Sequence, residues 1–456
     1  MGFLHLFASH MVFLFLSSSL VFLHGTAADQ EEALRTYIWK PSSRLLYSYH
    51  TVFDGFAARL TVGEATALRA LQGVESVRED HRVELHTTYS YWFLSLNVCP
   101  TGAWARARYG RGVVVGVLDT GVWPESPSFD DRGMPPVPDR WRGVCEIGER
   151  FNATNCNRKL VRARFYSKGH RNNYPTDLSD AAVRAREYAS PRDAHGHGTH
   201  MASTAVGAAV AGASVLGSGA GEARDVAPGA YVAAYKVCWF NGCISSDILA
   251  GMDDVVRGGV DMLSLSLGSF PIPLFEDSIA IGSFRATVRG VSVVSAAACP
   301  HASGIAALVR LAHPSWSPAM VRSAIMKTAD ISDRQGKPIT DGDGGERADA
   351  FAMGTGHVIP ALAVDPGLVY DMEPADYVTH HCTLGYTQRE VFKIAHSAIN
   401  YSELLHENPG FTLNYPAIVV SFKDGGGKTS AVLRRPVTNV GAPNSRYTAR
   451  VGVSAG

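Results

Sequence analysis

A chain of 456 residues, 46% hydrophobic and 18% charged, has ordinary globular composition and enough length for two or three domains with a large core. Its 42 Lys and Arg balance 42 Asp and Glu, so neither nucleic acid nor an anionic membrane surface is indicated as a partner. Taken from the start, the apolar run Met11 to Leu23 followed by small residues Gly25 to Ala28 reads as a signal peptide cut near Ala27 or Ala28, which implies secretion. No later apolar run is long enough to span a membrane. In a secreted chain the seven cysteines are free to form disulfides, with at least one left over. Asn152-Ala-Thr154 and Asn400-Tyr-Ser402 are glycosylation sequons.

Thr61 and Glu64 form a capping box ahead of Ala65, Leu68 and Leu71, which predicts a short amphipathic helix between two strands. Val113 to Leu118 is an uninterrupted apolar run, the pattern of a strand buried on both faces of a parallel sheet, and it ends at Asp119. A carboxylate at that edge stands where open α/β sheets place their chemistry, although D-T-G also suits a plain turn. Trp123 to Ser167, rich in Gly, Pro, Asn and Arg, predicts a surface loop region. Pro191 to Val206, PRDAHGHGTHMASTAV, sets His197 between Gly196 and Gly198 at a predicted helix start, where φ > 0 or close backbone approach is available. His197 is therefore the candidate base. His195, His197 and His200 lack the H-E-x-x-H spacing of a helical zinc site, so no metal is expected. Beyond them, Ala227 to Trp239 suits a buried strand. Ser245, Ser246 and Asp247 cap a helix that Gly258 and Gly259 stop, and Asp261 to Gly268 alternates like a half-buried strand. A helix is predicted at Ser278 to Arg289, a strand at Val291 to Ser295, and a further helix capped by Ser317 with Pro318 at its first position.

The segments GVLDTGVWPE (Gly116 to Glu125) and DAHGHGTHMAS (Asp193 to Ser203) resemble the Asp and His motifs of the plant subtilisin-like serine proteases, in the family's chain order. The resemblance extends over WRGVCEIGERFNATNCNRKLVRARFYSKG (Trp141 to Gly169) and GTGHVIPALAVDPGLVYD (Gly354 to Asp371). It implies an α/β fold, a subtilisin-like parallel sheet with flanking helices, here interrupted. A small α+β prodomain precedes the sheet and the start of a β-sandwich follows it. The implied boundaries are a signal peptide at 1–28, a shortened inhibitor-type prodomain at 29–87, a peptidase domain at 88–404 and the opening of a fibronectin type III-like domain at 405–456, with about three of some seven strands. In that family Asp fixes the tautomer of His, which acts as base toward Ser, with no metal or organic cofactor. The roles carry over to Asp119 and His197. Ser264, Leu265, Ser266, Leu267 and Gly268 match the segment that pairs with substrate backbone. Cys145 with Cys156 and Cys238 with Cys243 close short loops as plant subtilases do, leaving Cys99, Cys299 and Cys382 without an obvious partner.

At VVSAAACPHASGIAAL (Val293 to Leu308) the pattern breaks. Relatives continue from this strand into S-A-G-N, then through further strands and a protease-associated insert, before reaching G-T-S-M-A-C-P-H. Registering on A-C-P-H puts Ala296 at the nucleophile's place and leaves no oxyanion Asn, while Ser295 and Ser303 have no motif support. Loss of strands here puts at risk even the meeting of Asp119 with His197. The expected function is that of a secreted serine endopeptidase of the apoplast or cell wall, acting on proteins or peptides, held by its own prodomain, and inactive as written. Two other readings compete with it. One is a non-catalytic secreted splice product, the other a protease inhibitor or folding helper acting through Tyr47 to His86.

Overall fold

The computed structural model describes residues 35–36, 44–51, 55–71, 74, 76–80, 82–85, 94–96, 100–175, 186–215, 218–268, 272–295, 299–333, 336–341, 347–396, 400–408, 410–420 and 430–449. The signal-peptide assignment, Cys99 and Ala296 lie outside these residues.

The N-terminal unit pairs β1 (Leu45–Tyr49) antiparallel with β2 (Gly55–Leu60), followed by α1 (Val62–Arg69) and β3 (Arg82–Leu85). The Thr61 hydroxyl accepts from the Glu64 amide and the Glu64 carboxylate accepts from Thr61 N at 2.7 Å, closing the capping box. Helix α1 buries Ala65 and Leu68 but ends at Arg69, so Leu71 falls beyond it and is 39% exposed.

Five parallel strands form the central sheet: β4 (Val114–Asp119), β5 (Leu160–Phe165), β6 (Tyr231–Lys236), β7 (Met262–Leu265) and β8 (Ser292–Ser295), in the spatial order β8-β7-β4-β6-β5. Every residue of β4 is buried because helices cover both faces. Val115 and Val117 face a layer containing α2 (His197–Val206) and, later in the chain, the helix Cys299–Ala312; Val114 and Leu118 face α3 (Ser245–Gly258). Between them in sequence, α4 (Ser278–Val288) packs on α3, and we number Cys299–Ala312 as α5 and Pro318–Lys327 as α6. Helix α6 begins as its sequence predicts, the Ser317 hydroxyl accepting from Met320 N at 3.0 Å.

Four expectations need correction. Leu160–Phe165, placed in a surface loop by its arginines, is the sheet's edge strand. Arg162 and Arg164 reach the Asp254 carboxylate on α3 at 2.5 and 2.7 Å, which satisfies the charges the strand brings with it. The start of α3 is capped by a distant residue and not by its own serines: Asp80 Oδ1 accepts from Ser246 N at 3.0 Å, while Asp247 accepts from the amides of Gly169 and His170. Met262–Leu265 is buried on both faces and not half-buried, since β4 and β8 flank it and helices cover it. Among the described residues, the C-terminal region has one short strand, Thr438–Asn439, paired with Leu368–Val369; FTLNYPAIVV forms no ladder, and Ile418, Val419 and Val420 are exposed.

Candidate active site

Asp119 is the last residue of β4 and His197 the first of α2, so the carboxyl edge of the sheet meets a helix start. His197 Nδ1 lies 2.7 Å from Asp119 Oδ1, with Asp119 fully buried and His197 one-tenth exposed. The break expected after Ser295 leaves this pair in place, because α2 packs directly on β4. Val122 N donates to Pro191 O at 3.0 Å and Asp193 N to Val122 O at 3.1 Å, tying the two motif segments together. Arg192 adds a fork of two bonds to Glu125, 2.8 and 2.6 Å, and Lys236, buried on β6, donates to Arg192 O at 2.8 Å.

Both glycines beside His197 are used. Gly196 has φ +91°, and a Cβ at Gly198 would stand 2.3 Å from Gly121 O. Burial pushes the Asp119 carboxyl above its ordinary range, against the opposing hydrogen bond and charge of His197. The residue that sequence reasoning passed over is Asp193. Its Oδ1 accepts from Thr120 Oγ1 at 2.9 Å and Gly196 N at 2.8 Å, and its Oδ2 from Thr199 N at 2.8 Å. Burial alone would raise this carboxyl, but the bonds from Thr199, Gly196 and Thr120 hold it below the ordinary range. An Asp placed just before a glycine-flanked helix start was the signal that could have found it.

The five predicted substrate-contact residues divide. Ser264 and Leu265 belong to buried β7, with Ser264 Oγ 3.2 Å from Cys299 Sγ. Leu267 and Gly268 leave the sheet and pair antiparallel with β3, Leu267 opposite Leu85 and Gly268 opposite Glu84, with Ser266 buried between the two segments. On its other side β3 pairs with Gly242–Ile244, Cys243 opposite Val83. A strand of the N-terminal unit thus fills the slot beside the predicted substrate segment. Cys238 and Cys243 are disulfide-bonded at the hairpin flanking that slot, and Cys145 is bonded to Cys156. Cys299 and Cys382 are free and buried, and burial pushes the Cys299 thiol up to about 11, which leaves it protonated and unreactive.

Ser303 is buried 3.7 Å from Cys299 Sγ, and Ser295 Oγ donates to Leu267 O at 3.3 Å. No cluster of three or more His, Cys, Asp or Glu able to hold a metal occurs among the described residues. Asn152 and Asn400 are both exposed.

The subtilase family model matches residues 110–297 and 294–356, two pieces that meet where β8 ends. The peptidase inhibitor I9 model matches 23–86 and a fibronectin type-III domain model 412–456. The chain is 36% identical to subtilisin-like protease SBT1.2 of Arabidopsis thaliana over an alignment of 664 residues, covering 95% of this chain and 84% of the relative. That alignment is longer than the chain, so the relative holds segments with no counterpart here. Subtilisin-like protease SBT5.6 of the same plant is 41% identical over 285 residues, covering 56% of this chain and 36% of the relative. Among solved structures, fervidolysin from Fervidobacterium pennivorans, a keratinolytic enzyme related to subtilisin, has a TM-score of 0.45 and 14% identity, covering 70% of this chain and 57% of that one.

Proposed function

Since the chain belongs to the subtilase family of serine endopeptidases, we propose that it is a secreted plant subtilase scaffold whose pro-segment occupies its own substrate slot and which, as written, does not hydrolyse peptides by the family mechanism. The observation that carries the occupied slot is β3, laddered between Gly242–Ile244 and Leu267–Gly268. A peptide substrate binds such an edge by backbone pairing, with specificity set by the side chains between. Residues 29–87 act as the pro-segment, 88–404 as the peptidase unit and 405–456 as the opening of the C-terminal domain.

In the working family mechanism His197 takes the proton of a serine hydroxyl while Asp119 holds the Nδ1–H tautomer and stabilises the imidazolium. Here Ala296 stands in the serine's place, and the oxyanion Asn has no counterpart. Residues 1–28 direct secretion to the apoplast or cell wall, and the exposed Asn152 and Asn400 carry glycans. Among the described residues no helix is long and apolar enough to cross a membrane.

The deciding experiment treats purified protein with a fluorophosphonate probe and a peptide library. Neither labelling nor cleavage is expected, and covalent labelling at Ser295 or Ser303, lost on substitution by alanine, overturns the proposal. The occupied slot also favours a second reading, an inhibitor in trans: residues 29–87, added to an active relative, would block its cleavage of a peptide.

A further inference from the structure

The central sheet ends at β8, which among the described residues pairs with β7 alone. Ser292 N donates to Asp261 O at 3.2 Å, so by the alternation of a parallel ladder the amides of Val293 and Ser295 point away from β7, and neither meets an acceptor among the described residues. This is an open sheet edge.

A cavity of about 480 Å³, within the range of ligand pockets, runs along that edge. Val293 packs with the core on one face of the sheet and Val294 with the core on the other, yet both line the cavity, so it wraps around the strand. Its two walls are apolar. Phe284 and Thr287 of α4 stand in the lining beside Ala306 of α5 and Val321 and Ile325 of α6, which share the core of Val294.

Arg322 of α6 is the single cation in this lining. Its Nη2 donates to the Tyr377 hydroxyl at 3.0 Å and touches Met372 Sδ at 3.9 Å, while its Nε is buried with no hydrogen-bond partner. The guanidinium also lies 4.6 Å from the Tyr415 ring centroid and 5.7 Å from that of Tyr377. No carboxylate among the described residues pairs with it. Tyr377, on the helix Pro374–Thr383, accepts from Arg322 and so keeps its own hydroxyl hydrogen to donate. The edge therefore offers backbone donors, two apolar walls and one uncompensated positive charge.

We infer that this edge is a docking groove for the C-terminal strand of an apolar peptide, which pairs with the Val293 and Ser295 amides and places its terminal carboxylate on Arg322 and Tyr377. Main-chain pairing with an open edge holds a peptide whatever its sequence, and the flanking walls select its side chains. The side chains of an added strand alternate between the two faces, and both walls here are apolar. The charge that answers Arg322 thus belongs to the end of the main chain and not to a side chain. A guanidinium suits a carboxylate because it donates to both oxygens.

The test reads the fluorescence anisotropy of a fluorescein-labelled Ala-Val-Ala-Val peptide on the full chain. With a free carboxylate it should bind at least about tenfold more tightly than with a terminal amide, the difference expected for one charge-assisted hydrogen bond. Arg322→Gln should bring acid and amide to equal affinity. Should that variant fail to fold, as near-UV circular dichroism shows, the acid-to-amide comparison in the parent chain still decides. Two further probes carry methyl groups on alternate backbone nitrogens, one in each register, and one of them should lose binding because methylation blocks the pairing. Equal affinity for acid and amide in the parent, a preference kept in folded Arg322→Gln, or undiminished binding of both methylated peptides overturns the inference. Dodecanoate that displaces the peptide and binds more tightly also overturns it, since the groove would then hold an aliphatic carboxylate and no strand.

Discussion

The two halves of the active-site region are built differently. On one side, Asp119 and His197 stand on β4 and α2, and the segments around them are cross-tied by Val122, Asp193, Arg192, Glu125 and Lys236. On the other, β8 ends at Ser295 and α5 starts at Cys299, with the two family matches meeting between them. Helix α5 still packs against α2 and β7. The packed helical layer is retained there. Packing is distributed over many side chains, whereas the proposed loss of catalysis turns on single groups, a nucleophile and an oxyanion donor.

The sharpest way to break this contrast is to look for catalysis. In bacterial subtilisin, loss of the nucleophile costs about 10⁶ in kcat, and loss of the oxyanion Asn alone about 10² to 10³. Ala296→Ser should therefore restore little hydrolysis by itself, since the oxyanion Asn stays absent. Grafting the relatives' intervening segment between Val294 and Cys299 should restore far more, read as fluorophosphonate labelling at the new serine. Activity in Ala296→Ser comparable to the graft would show that the second half is less damaged than its sequence indicates.

Core truncations sharpen the same contrast at the level of stability. Leu118, fully buried on β4, should lose about 2 to 5 kcal/mol on change to alanine. Val294 on β8 is only half-buried at the sheet's edge, so Val294→Ala should cost under about 1.5 kcal/mol. Urea denaturation of both variants gives the comparison, and equal losses would mean that β8 is as tightly built as β4.

Disulfides come next. Cys145 to Cys156 and Cys238 to Cys243 close loops with separations of 11 and 5 residues, each worth about 2 to 3 kcal/mol if unstrained. Non-reducing peptide mapping should recover both pairs. Cys238→Ser should in addition expose β3 to proteolysis, because Cys243 pairs with Val83, and Cys145→Ser should not.

What could be read in the chain follows the range of each interaction. Asp119 and His197 were legible because each ends or starts its own element within a short motif. The capping box at Thr61, the Ser317 cap and the Gly259 stop were equally local. Leu160–Phe165 was hidden because its arginines are satisfied by Asp254, 92 and 90 residues away. The cap on α3 was hidden because Asp80 is 166 residues from Ser246. Asp193 was local, yet its role shows only once Thr120 arrives from another element.

Asp80 offers the finest test, because it ties the N-terminal unit to the well-built half. It is fully buried, with Oδ1 accepting from Ser246 N and Oδ2 bonded to Ser246 Oγ at 2.5 Å. Burial is the main reason its carboxyl is pushed up to about 8; the bonds from Ser246 oppose this and the charge of Asp247, itself raised to about 6 by burial, adds to it. An Asp in the unfolded chain titrates near 3.9, so between about pH 4 and pH 8 the folded chain holds a proton that the unfolded chain has released. Stability from this group is therefore fully present below about pH 4 and is lost as pH rises through about 8, with a slope of at most about 1.4 kcal/mol per pH unit. Asp80→Asn keeps an acceptor for Ser246 N but cannot titrate, so its Tm should fall less than the parent's between pH 5 and pH 7. Paired denaturation curves at pH 5, 6 and 7 read the difference. Parallel pH profiles would mean that Asp80 ionises freely, and that the N-terminal unit does not seal the start of α3 as tightly as β4 and α2 enclose Asp119.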